Sequence, residues 1–96
     1  MIYRQTAYRI YGINNAGRVM AEVTFPLDAD GTVHITHTFV DDSLRDQGIA
    51  GRLMLEACTQ IRREGLKVTP VCSYSVRWFK SHPEQADILA YPPIDN

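Results

Sequence analysis

The sequence predicts a layered α/β (α+β) domain in the order β-β-β-α-β-α, an antiparallel meander followed by helix, strand and helix. Three observations predict it. Three segments of the first forty residues are rich in β-branched and aromatic residues, and turn signals containing glycine separate them. At Ile49 the apolar spacing switches from two to three and four. One short apolar stretch and one further helical stretch follow, so the 96 residues form one core and not two.

The elements follow in order. "TAYRIYGI" (6–13) reads as the first strand, and "NNAG" (14–17) as a turn. "RVMAEVTFPL" (18–27) puts Val19, Ala21, Val23 and Phe25 on one face, and "DADG" (28–31) turns the chain again. "TVHITHTFV" (32–40) alternates Val33 and Ile35 with His34 and Thr36 as a third strand. From Ile49 to Ile61 the residues Ile49, Ala50, Leu53, Met54, Ala57, Cys58 and Ile61 form one helical stripe, closed by Gly65. "LKVTPVC" (66–72) is a fourth strand, expected parallel to the third because a helix joins them. "SYSVRWFKSH" (73–82) is a second helix, capped by Ser73 or Ser75, with Val76 and Phe79 inward. "PEQADILA" adds one helical turn. The core spans about 5–90, and "YPPIDN" is expected to be a loose tail.

Charge excludes some partners. Ten Lys/Arg against eleven Asp/Glu leave −1, so neither a nucleic-acid nor a membrane-surface footprint is expected. Arg4 and Gln5 interrupt the place where a signal peptide has its apolar run, and no apolar run nears the roughly 20 residues that span a bilayer. The expectation is a cytoplasmic protein, a monomer or weak dimer. Cys58 and Cys72 are then free thiols, and neither lies in a CxxC pattern, so no metal site is expected.

The loop "SLRDQGIAGR" (43–52) joins the third strand to the long helix. Gly48 and Gly51 let main-chain N–H groups approach a ligand, and the first turn of a helix leaves such groups unpaired and favours negative charge. Arg45 and Arg52 add charge-assisted donors. A tight turn with a helix cap is the alternative for two glycines at this place. A phosphate loop ending in Gly-Lys-Ser/Thr is absent, and GxGxxG is absent too.

"RDQGIA" (45–50) resembles the Q/R-x-x-G-x-G/A signature of the GNAT superfamily of N-acetyltransferases. "LRDQGIAGRLMLEA", "GLKVTPVCSY", "FKSHPE" and "ADIL" resemble its very small, single-domain YjdJ-like branch, in order over about residues 5–90. The resemblance implies a short GNAT-like fold, acetyl-CoA as acetyl donor and an amine as acceptor. It implies that Gln47, Gly48, Ile49, Ala50, Gly51 and Arg52 wrap the pyrophosphate, with Arg45 beside them. It also implies that main-chain groups of Thr38, Phe39 and Val40 hold the pantetheine between splayed strands.

An alkyl amine is only about one part in a thousand neutral near pH 7.4, so the reaction needs a base, an oxyanion site and a way for a thiolate to leave. Cys72 ends the fourth strand at a helix start, where a thiol pKa falls, and the resemblance implies a Cys at "PVCSY" with a covalent acetyl-Cys route. A small buried core residue is the other reading of Cys72. His37 is the candidate general base, against a plain sheet histidine. Tyr74 is the candidate acid for the leaving thiolate, a role the resemblance implies, against an aromatic packed on the sheet. Arg77 and Lys80 share a helix face, and Lys80 is a candidate for the nucleotide phosphate. Cys58 reads as core, and His82 as a cap or surface residue. The function expected is acetyl-CoA-dependent N-acetyl transfer; the alternative is a non-catalytic CoA-binding or protein-interaction module.

Overall fold

The computed structural model describes residues 1–91 and arranges them as two sheets around one core. In chain order the elements are β1 (Ile2–Gln5), β2 (Arg9–Ile13), β3 (Val19–Thr24), β4 (Val33–Ile35), β5 (His37–Val40), α1 (Ile49–Arg63), β6 (Val68–Pro70) and α2 (Ser73–Ser81). Short 3₁₀ turns occupy Asp42–Leu44 and Pro83–Ile88. One sheet is antiparallel in the order β1-β2-β3-β5; the other pairs β4 with β6 in parallel.

The meander followed by α-β-α is as the sequence predicts, with three differences of detail. The chain pairs already at Ile2–Gln5, and the stretch expected to begin the first strand, Thr6 to Tyr8, is instead the turn of that hairpin, closed by Thr6 N–H donating to Arg9 O at 2.8 Å. All four β1 residues are exposed, so this strand has no buried face to show as a pattern. The third predicted strand is two strands. At Thr36 the chain leaves β6 for β3, and Thr36 N–H reaches back to Thr24 O at 3.2 Å. At the second helix the N-cap is Cys72, not Ser73 or Ser75, and Val76 is only half-buried while Ser75, Trp78 and Phe79 face inward. The tail expected from Tyr91 lies, from residue 92 on, outside the described residues.

The core forms where the periodicities meet. Leu53, Met54, Ala57, Cys58 and Ile61 of α1 are buried together with Ile10, Ala21 and Val23 of the antiparallel sheet. Val33, Ile35 and Val68 bury the second sheet into the same core. Each buried aliphatic side chain contributes about 1.5–3 kcal/mol, which fixes α1 firmly against the sheet. The helix ends where expected: Gly65 takes φ 67°, its N–H donates to Arg62 O, and Leu66 N–H donates to Ile61 O. No helix of the described residues is long and apolar enough to cross a membrane.

Candidate active site

The site begins where the two sheets part. Val71 N–H and Cys72 N–H both donate to Ile35 O at 3.0 Å. Beyond that tie β5 stays with β3 while the chain after β6 turns into α2. Asp41 N–H donates to Met20 O at 2.8 Å in the β3–β5 register. Antiparallel pairs alternate, so Phe39 exchanges its bonds with Glu22, whereas Thr38 and Val40 turn their N–H and C=O away from β3 into the gap. These are free strand-edge groups that an extended amide chain can join.

The gap continues into a groove of about 460 Å³, whose lining includes Thr38, Val40, Leu44, Arg45, Asp46, Gly48, Ile49, Ala50, Gly51 and Tyr74. Gly48 is the N-cap of α1 at φ 73°, a conformation that glycine adopts without strain. A Cβ there would have no atom within 4 Å. Arg52 N–H donates to Gly48 O at 3.1 Å, which starts the helical ladder. The N–H groups of Ile49, Ala50 and Gly51 precede that ladder, and no side chain caps them. The loop therefore presents a row of main-chain donors at the positive end of a 15-residue helix, facing open space. Asp41 accepts from Ser43 N–H and Oγ–H and pairs with Arg18, so its charge is held away in the turn.

At the vertex stands Cys72. Its Sγ lies 3.2 Å from Ser75 Oγ and 3.5 Å from Thr38 Oγ1, and the Ser75 hydroxyl donates to Cys72 O at 2.8 Å. Burial opposes the thiolate and is the largest single influence. The hydroxyls of Ser75 and Thr38 and the amides of Ser75 and Tyr74 together outweigh it, so Cys72 ionises below the ordinary thiol value. Cys58 is the opposite case: burial pushes its thiol up to about 12. Burial likewise raises Tyr74, slightly relieved by Arg77 and reinforced by Cys72, so its half-buried hydroxyl stays protonated beside the groove.

Residues 9–88 match the family model described as GCN5-related N-acetyl-transferase. The chain belongs to this family. Among solved structures it resembles a GCN5-like protein of Staphylococcus aureus determined by NMR, with a TM-score of 0.76 at 23% identity over 92% of this chain and 86% of the other. It also resembles a GNAT-family acetyltransferase of Staphylococcus aureus (TM-score 0.60, 16% identity) and an acetyltransferase of Trypanosoma brucei (TM-score 0.56, 18% identity). In both cases 92% of this chain is covered, but only 62% and 63% of theirs. These likenesses show the fold. No curated protein matches the chain.

Not every residue expected of the GCN5-related site meets at the groove. Thr38, Val40, Arg45, Gly48, Ile49, Ala50, Gly51 and Tyr74 line it, and Cys72 adjoins it through Thr38. Phe39 does not: its side chain lies on the outer sheet face, and its main-chain bonds go to Glu22. His37 shares that outer face, stacked near Phe39 at 6.5 Å between centroids and 4.0 Å from Glu22 Oε2. Gln47 is exposed outside the lining; Arg52 turns the other way, over the Tyr3 ring at 5.9 Å. Lys80 is exposed on α2, away from the groove. Arg45 lines the groove with its Nε 2.9 Å from Asp42 Oδ1. His82 caps its helix as expected, with Nδ1 2.7 Å from Trp78 O and its ring on Trp78.

Sequence reasoning missed Leu44, Asp46 and Ser75. Asp46 has φ 65°, the one positive value outside glycine among the described residues. "RDQG" carried that signal, because Asp tolerates the left-handed region better than most residues. Ser75 carried one as well: it stands three residues after a helix cap, where a side chain meets the cap.

Proposed function

We propose that this protein transfers an acetyl group from acetyl-CoA to an amine by way of Cys72. One observation carries the reading: the groove of unpaired main-chain donors ends beside a thiol whose pKa is lowered. The donor amides of Ile49, Ala50 and Gly51 suit a diphosphate, and the free edge of Thr38 and Val40 suits the pantetheine amides. Acetyl-CoA supplies an activated thioester carbonyl there.

Cys72 is the nucleophile. Its sulfur takes the acetyl group, breaking the bond to the departing sulfur, and Tyr74 gives that sulfur its proton. In the second half the amine nitrogen attacks the acetyl carbon, and the Cys72 sulfur leaves as thiolate, the form that the hydroxyls of Ser75 and Thr38 favour. His37 stands on the outer sheet face beside Glu22, away from Cys72, so the incoming amine gives its proton to solvent in the groove and not to His37. Solvent likewise restores the Tyr74 hydroxyl. Membership of the small YjdJ-like branch and a cytoplasmic setting belong to the same proposal.

The test is free-CoA release from acetyl-CoA with and without a panel of amines, paired with intact-protein mass spectrometry. Wild type is expected to show an acetyl adduct that Cys72→Ala lacks, and the variant's turnover to fall at least a hundredfold. Full activity in Cys72→Ala sinks the covalent route; CoA binding without release on any amine favours the non-catalytic module.

A further inference from the structure

The antiparallel sheet has two outer edges, and only one lies at the groove. The other is β1. Among the described residues no strand pairs with its outer side. The ladder to β2 fixes which groups point outward. Thr6 N–H donates to Arg9 O, so by alternation Ile2 and Arg4 spend their main-chain bonds on β2, while Tyr3 and Gln5 turn theirs outward. Tyr3 lies over Gly12, which has no side chain in the way, and Gln5 hydrogen-bonds Gln60 of α1. β1 is only four residues long and carries one charge, Arg4, but it has no proline, lysine or bulge to turn a partner strand away. Next to the free donors stand Met1, Ile2 and Tyr3, about half exposed at 49%, 54% and 41%.

We propose that β1 pairs antiparallel with β1 of a second copy, on a two-fold axis through Tyr3. Self-pairing has few registers, because the axis keeps each side chain on its own sheet face. Centring on Tyr3 lets the two Tyr3 residues exchange both hydrogen bonds and brings Gln5 opposite the partner's Met1. It sets Arg4 beside the apolar Ile2 of the other copy. Centring on Arg4 would oppose two guanidinium groups at the close spacing of a non-bonded pair, which is repulsive. The donor pattern of β1 thus matches a copy of itself, and this register keeps the two Arg4 residues from standing directly opposite. The result is one eight-stranded sheet with a groove at each far end.

Sedimentation velocity across micromolar to millimolar protein tests this. Wild type is expected to shift with concentration toward twice the mass of one chain. Tyr3→Pro removes an N–H that the single chain does not use, and is expected to stay at one chain's mass with an unchanged circular dichroism spectrum. Register is tested by oxidation in a Cys72→Ser background. Tyr3→Cys is expected to give a covalent dimer; Arg4→Cys, whose two copies would sit beyond the roughly 7 Å that a disulfide spans, is not. A wild type that stays at one chain's mass throughout overturns the proposal, as does equal cross-linking at the two positions.

Discussion

Among the described residues the two α-helices both start by the groove, and they open on different residues. α1 opens on Gly48, which offers no side chain and leaves the following amides bare. α2 opens on Cys72, whose sulfur faces the amides of its own first turn and the Ser75 hydroxyl. The same unpaired N–H groups thus serve two purposes. At Gly48 they suit an anion; beside the Cys72 sulfur, which makes no cap hydrogen bond, they favour that thiol's ionised form. Position in the fold, and not residue type, separates this cysteine from Cys58, which sits mid-helix where burial outweighs the influence of Arg62, Asp87 and Glu84.

The largest expected break in this comparison comes from Gly48→Val. No atom obstructs the new side chain, so its effect is on the backbone: a β-branched residue at φ 73° costs about 1–2 kcal/mol and drives the cap out of shape. CoA affinity, by calorimetry, is expected to fall about tenfold or more. Unchanged affinity would remove the open-amide account.

The second test sharpens the contrast between the thiols. Alkylation of Cys72 is expected to rise with pH to a midpoint below the ordinary thiol value, with Cys58 unreactive in the folded chain. Ser75→Ala, by removing the strongest favourable influence on the thiolate, is expected to move that midpoint upward. The signs for stability are opposite as well. Ionised Cys72 adds stability above the unfolded thiol pKa, and this is lost as pH falls through its lower folded value. Neutral Cys58 adds stability below the unfolded pKa, and this is lost as pH rises toward about 12. Urea unfolding of Cys58→Ala and Cys72→Ala against pH separates the two.

The smallest effect is expected at Gly51. A Cβ there would meet Trp78 Nε1 at 3.9 Å and Tyr74 OH at 4.0 Å, which is ordinary contact. Gly51→Ala is expected to raise the melting temperature by a few degrees, since glycine in a helix costs up to about 1 kcal/mol against alanine. CoA affinity is expected to change little. A loss as large as that of Gly48→Val would mean that both glycines, and not the cap alone, make the seat.

Much of this was legible in the chain. The shift of period at Ile49, the Gly48 turn and the helix end at Gly65 are local signals, and the structure has them where the sequence puts them. The break at Thr36 was not legible. Alternation holds from Val33 to Thr36 and lapses at His37, which is too little to mark a break, and the choice of partner strand, a tertiary event, divides the segment. That division decides the site, because it turns His37 and Phe39 to the outer face while Thr38 meets Cys72. Arg52 misled for a simpler reason: one residue past Gly51 on a helix is about 100° around it.

The atoms proposed to hold the coenzyme are main-chain atoms, at Thr38, Val40, Ile49, Ala50 and Gly51. Such atoms survive nearly any exchange of side chain. A saturation scan of these five positions scored for coenzyme retention would therefore find few forbidden residues, with one consistent exclusion: proline, the residue that brings no amide hydrogen.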